Sequence, residues 1–107
     1  MKIAVAAGER TVPETLEESG RLLVVETDGG EILAERPGPD AMGFADLALA
    51  YDCEAVACGR ITDPDAFSRL AENGVTRYCA AGLPPLEAAR AAEAGRLPIQ
   101  RRFGERE

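Results

Sequence analysis

A chain of 107 residues, 46% hydrophobic and 29% charged, has the composition of one globular domain with a single core, which excludes a wholly disordered or low-complexity segment. A formal net charge of −7, with a pI near 4.6, excludes a surface built to neutralise nucleic-acid or anionic-lipid phosphates, since that needs clustered Lys and Arg. No apolar run approaches the roughly 20 residues of a membrane span, the opening lacks the length and flanks of a signal peptide, and the three cysteines show no close CxxC spacing, so a reducing, cytoplasmic setting is expected.

Lys2 to Ala7 (KIAVAA) is a nearly continuous apolar run closed by Gly8, the pattern of an interior strand. Glu9 to Gly20 (ERTVPETLEESG), with Pro13 and four glutamates, reads as a loop or a short, poorly buried helix. Arg21 to Thr27 is β-rich, Asp28-Gly29-Gly30 supplies residues that tolerate positive φ, and Glu31 to Glu35 follows as a hairpin partner. Arg36-Pro37-Gly38-Pro39 is expected to break all regular structure and to divide an antiparallel front half from a βα back half.

Asp40 is placed to cap a helix whose Phe44, Leu47, Ala48 and Tyr51 recur at i, i+3, i+4 and i+7, the spacing of one buried face. The stretch from Cys53 to Leu83 organises the rest. Ala55 to Cys58 suits a strand buried on both faces, and Gly59 closes it. Asp63-Pro64 opens a helix, because Asp caps free N–H groups and Pro needs no partner at the first helical position. Ala66, Phe67, Leu70 and Ala71 form its apolar stripe, Asn73-Gly74 ends it, and Val75 to Ala80 resumes an extended pattern that Gly82-Leu83-Pro84-Pro85 breaks. Two strands joined by such a crossover should be parallel, with a right-handed connection. Pro85 to Ala94 is a helix by propensity, with a mostly alanine buried stripe in which Leu86 is the largest member, so it must approach the sheet closely.

The order is β-β-β-α-β-α-β-α in an α/β domain of residues 1–97, followed by a tail, 98–107, expected to fray. Strands at Ile3, Val56 and Tyr78 should run parallel, with the Leu22–Ala34 hairpin antiparallel beside the first strand.

With this order of elements, the chain resembles the dinitrogenase iron–molybdenum cofactor biosynthesis (nitrogenase accessory factor) family. The resemblance rests on the opening Met1-Lys2-Ile3-Ala4-Val5-Ala6 and on Asp28-Gly29-Gly30-Glu31-Ile32. It continues through Cys53-Glu54-Ala55-Val56 with Gly59, and Leu70-Ala71-Glu72-Asn73-Gly74-Val75. It ends on Glu87-Ala88-Ala89 with Gly95-Arg96-Leu97. It implies a ribonuclease H-like fold, a mixed five-stranded sheet with the first strand central and helices flanking it. It also implies a protein that carries or stores a molybdenum/iron–sulfur type cluster or its precursor, without a catalytic reaction. One segment departs from the family. Where relatives carry a Ser-x-His-Phe-Gly-Arg-like segment, this chain reads Val12-Pro13-Glu14-Thr15-Leu16-Glu17, and it contains no histidine at all.

Candidate site residues follow from the expected topology, because open α/β sheets bind ligands beyond the carboxyl ends of their strands. Gly8–Pro13, Cys58–Thr62 and Cys79–Gly82 should wall that crevice, with Gly8, Thr11, Gly59, Arg60 and Gly82 as the candidate residues for a cofactor or anionic small ligand and the three glycines bringing backbone amides close to it. Cys58 and Cys79 are the candidate soft-metal ligands, able as thiolates to hold copper, a molybdenum–copper sulfide or an iron–sulfur species. Against this stands their reading as small buried hydrophobes, and for the glycines as simple strand terminators. Glu54, Asp63 and Asp65 make a weaker carboxylate set of the kind a nuclease needs, but Asp63 is explained by capping and the acidity of the chain opposes that substrate. No P-loop or GxGxxG is present, and no histidine exists to activate Ser19 or Ser68. Two functions remain: a small non-catalytic binder of a metallocofactor or anion, or a metal-free module for protein–protein interaction or regulation.

Overall fold

The computed structural model describes residues 1–103. Strands β1 (Lys2–Ala7), β2 (Arg21–Glu26), β3 (Glu31–Pro37), β4 (Ala55–Cys58) and β5 (Thr76–Cys79) form one mixed sheet in the order β3-β2-β1-β4-β5. Helices α1 (Ala41–Ala50), α2 (Pro64–Glu72) and α3 (Pro85–Glu93) flank it, so the architecture is α/β. β1 is central. It pairs antiparallel with β2 and parallel with β4, and β4 pairs parallel with β5, as the element order predicts.

The inner strands β1, β2 and β4 are buried on both faces because they carry apolar residues at consecutive positions rather than alternate ones. On one side Ala4, Val24 and Val56 meet Phe44, Leu47, Phe67 and Leu70 from α1 and α2. On the other, Ile3, Val5, Val25 and Ala57 meet Ala88, Ala89 and Ala92 of α3. Asp40 accepts from the Gly43 N–H at 2.8 Å, and Asp63 accepts from the Asp65 and Ala66 N–H groups at 2.9 and 3.1 Å, so both sequence-predicted caps are present. Gly30, Gly74 and Gly95 take the positive φ values that end the hairpin turn, α2 and α3.

Five local expectations change. Ala71, expected on the apolar stripe of α2, is exposed, and the buried stripe is Ala66, Phe67 and Leu70. Segment 9–20 is a loop, as one of the two expectations has it, with a single 3-10 turn (Leu16–Glu18), but its Val12, Leu16 and Ser19 are 1%, 0% and 0% exposed and anchor it in the interior. Leu86 is 37% exposed and leaves the α3 face to alanine alone. Arg36 and Pro37 do not break the strand but complete β3 opposite Leu22 and Arg21; β3 is an edge, where a missing N–H costs no ladder bond. The chain also stays on the sheet after 97. The Cys79 N–H donates to the Pro98 carbonyl, Ile99 pairs antiparallel with Tyr78, and the Gln100 N–H donates to the Arg77 carbonyl, so 98–100 strap the outer side of β5. The part of the expected frayed tail at 104–107 lies outside the described residues. Among those described, no helix is long and apolar enough to cross a membrane.

Candidate functional site

β1, β4 and β5 point their carboxyl ends the same way, and segment 8–20 crosses those ends. Main-chain groups fasten it there. The Gly8 N–H donates to Thr11 O at 2.8 Å, Val12 N–H to Leu83 O at 2.8 Å, and Gly82 N–H to Val12 O at 2.9 Å. Further along, Arg60 N–H donates to Glu14 O at 2.8 Å and Leu16 N–H to Arg60 O at 3.0 Å, around a parallel bridge between Thr15 and Arg60.

The glycines therefore act differently from the expectation. The Gly8 and Gly82 amides are engaged by the chain itself rather than presented to an anion. Gly59 is required by packing: a Cβ there would fall on the Pro13 carbonyl and the Glu14 backbone. A glycine at this position lets two backbones touch, which is how the loop reaches the end of β4.

What the loop leaves uncovered is a cleft of about 610 Å³ past the ends of β4 and β5. Glu14, Gly59, Arg60 and Cys79 line its inner part, and Leu97 together with Pro98 and Gln100 of the strap forms its outer wall. Of the residues expected from sequence, Gly59, Arg60 and Cys79 thus meet at one cavity. Gly8, Thr11, Gly82 and Cys58 lie off its lining.

The two candidate thiols face different surroundings although Cys58 and Cys79 are register partners. Cys79 is half-buried and reaches the cleft. Cys58 is 1% exposed and packs in the core under α1 and α2. Burial, reinforced by Cys79 and Glu17, pushes the Cys58 thiol far above its ordinary range, so it stays protonated. Cys53 sits at the opposite end of β4, where burial pushes its thiol up to about 11.

The donor set is sparse. Among the described residues, no three His, Cys, Asp or Glu side chains gather as a group able to hold a metal ion. The carboxylates Glu54, Asp63 and Asp65 do not assemble: Asp63 caps α2, and Glu54 precedes the opposite end of β4. A bare ion ligated by protein alone does not fit this cleft.

Two contributors were not legible beforehand. Gln100, which carries no pattern in the sequence, is 3% exposed and closes the outer wall. Glu17, one of several loop glutamates, accepts from the Thr62 N–H at 3.3 Å and from its hydroxyl through Oε1. Its Oε2 is buried with no hydrogen-bond partner among the described residues.

No protein-family model matches the chain, and no curated protein matches it by sequence. Solved structures do match. The apo form of the orange protein from Desulfovibrio gigas superposes with a TM-score of 0.75 at 17% identity, over 97% of this chain and 96% of that one. A Thermotoga protein of the DUF35 family, provisionally assigned as NifB, gives 0.74 at 17% identity over 99% and 98%. A Methanocaldococcus jannaschii protein, provisionally assigned as a dinitrogenase, gives 0.67 at 16% identity over 94% and 95%. At these identities the likeness establishes a shared fold across nearly the whole of each chain.

Proposed function

We propose that this protein is a small, non-catalytic binding protein of the reducing cytoplasm whose cleft takes a compact anionic ligand, with a preassembled metal–sulfur cluster as the class of cargo. The observation that carries the reading is the meeting of Cys79 and Arg60 on one cavity beyond the parallel strand ends. A preassembled cluster brings its own sulfide ligands. It asks the protein for a soft anchor and a compensating cation rather than for a full donor set. Cys79 supplies the sulfur and Arg60 the charge, in a chain that is otherwise acidic. The family resemblance and the NifB and dinitrogenase assignments of two fold neighbours point the same way.

Anaerobic equilibrium dialysis against tetrathiomolybdate, using protein without an affinity tag, tests this. The parent should retain about one molybdenum per chain, and Cys79→Ser and Arg60→Ala should each weaken retention at least tenfold, the scale of losing one charge-assisted contact. Retention equal to the parent in both variants would assign the cargo elsewhere.

A second reading, a metal-free interaction or regulatory module, is favoured by the sparse donor set and by the unpaired edge of β3, where Ile32 is 52% exposed. It gains if untagged, anaerobically purified protein is free of metal and co-elutes with one defined partner.

A further inference from the structure

Cys58 and Cys79 stand directly opposite each other at the ends of β4 and β5. Residues paired in a parallel ladder project from the same face of the sheet. Here that face is the one under α2: Arg77, two positions before Cys79, lies 4.9 Å above the Phe67 ring, and Cys58 shares a core with Phe67. Adjacent strands lie about 4.8 Å apart, inside the roughly 4.4–6.8 Å Cα separation that a disulfide spans. β5 is the last full strand of the sheet, and among the described residues the 98–100 strap pairs with its outer edge. Cys53 cannot compete, since it precedes β4 and Cys58 ends it, so the length of the strand separates them.

We propose that Cys58 and Cys79 are a redox pair: a small hydroperoxide entering the cleft oxidises Cys79, and Cys58 resolves the product into a cross-strand disulfide. Exposure divides the roles. Cys79 lines the cleft and meets the oxidant, whereas Cys58, buried behind it, meets only its neighbour. In the first step the Cys79 sulfur attacks the peroxide O–O bond. It becomes a sulfenic acid, and its proton leaves with the departing oxygen as water. In the second, the Cys58 sulfur attacks the sulfenic sulfur, the S–O bond breaks, and hydroxide leaves with the Cys58 proton as a second water. Two electrons pass from the two sulfurs to the peroxide, and a dithiol reverses the bond by exchange.

The disulfide stands independently of the cargo. Its consequence, that oxidation removes the cleft's thiol and ejects the ligand, rests on the function proposed above.

The test treats the reduced full-length protein with one equivalent of hydrogen peroxide, denatures it without reductant, counts thiols and maps peptides. The three thiols should fall to one, on Cys53, with Cys58 and Cys79 in a single cross-linked peptide pair. In Cys58→Ala the sulfenic acid should instead accumulate on Cys79 and be trapped by dimedone. Tetrathiomolybdate retention should vanish on oxidation and return with dithiothreitol. The pair is overturned if the parent carries a persistent sulfenic or sulfinic acid on Cys79 beside an intact Cys58 thiol, or if Cys79 bridges two chains. A disulfide formed in protein that never retains tetrathiomolybdate upholds the pair and removes the cargo; retention without a disulfide does the reverse.

Discussion

The Gln100 side chain holds the Ile61 backbone at both ends. Its Oε1 accepts from the Ile61 N–H at 2.8 Å, and its Nε2 donates to the Ile61 carbonyl at 3.1 Å. Ile61 leads from β4 toward α2, and Gln100 ends the strap beyond β5, so this one amide ties the outer wall of the cleft to the segment that leaves β4. Arg77 adds to the join through Nε to the Gln100 carbonyl at 3.1 Å.

Gln100→Ala should therefore cost about 1–3 kcal/mol for each backbone group it leaves unpaired, read as a lower urea midpoint. Faster hydrogen exchange at the Ile61 amide should accompany it. An unchanged midpoint and exchange rate would show that the strap is not held through this contact.

Gly59→Ala should destabilise the fold by about 1–3 kcal/mol or more, because the new methyl meets backbone that has no rotamer to yield. Gly82→Ala is the contrast. Gly82 has φ +90° with open space around it, so only the conformational penalty of about 1–2 kcal/mol applies. Chemical-shift changes along Pro13–Leu16 should appear in the first variant and be absent in the second.

Leu70→Ala should cost roughly 2–5 kcal/mol in chemical denaturation. Leu70 is fully buried where α2 meets the sheet. A loss below about 1 kcal/mol, ordinary for a surface change, would contradict that packing.

Alkaline stability should be governed in part by Cys53. In the unfolded chain the thiol ionises near 9, whereas in the fold burial holds it protonated to about 11. Between these values the unfolded state binds fewer protons, so stability falls as pH rises. The parent's urea midpoint should drop between pH 9 and 11, and Cys53→Ala should flatten that slope relative to the parent. Equal slopes would mean that the thiol ionises alike in both states.

Elements that announce themselves through periodicity and punctuation were legible in the sequence. Asp40 and Asp63 as caps, the Phe67–Leu70 stripe, the parallel Val56 and Tyr78 strands and the Asp28-Gly29-Gly30 hairpin turn all rest on local rules that tertiary context did not override. Segment 9–20 and the strap were not legible, because main-chain bonds to distant partners hold both and such bonds leave no mark on composition. The polar look of Glu9–Gly20 concealed Val12 and Leu16, two apolar residues too few for a period yet fully buried. The same limit applies to the site. Strand-end geometry brought Gly59, Arg60 and Cys79 to one cavity, but Cys58 and Cys79 sit in matching register with different exposure, because β4 lies inside the sheet under α1 and α2 and β5 is its last strand.

Fastening the first part of that loop, up to Glu14, by backbone contacts has a consequence for how the molecule can change. Between Glu9 and Glu14 only Val12 is committed to the interior. Glu9, Arg10, Thr11 and Glu14 are exposed, and Glu14 already looks onto the cleft. The chemistry of the cavity can therefore be rewritten one position at a time while the path of the chain stays put. An imidazole placed at Glu14 would alter the guest list and leave the house standing.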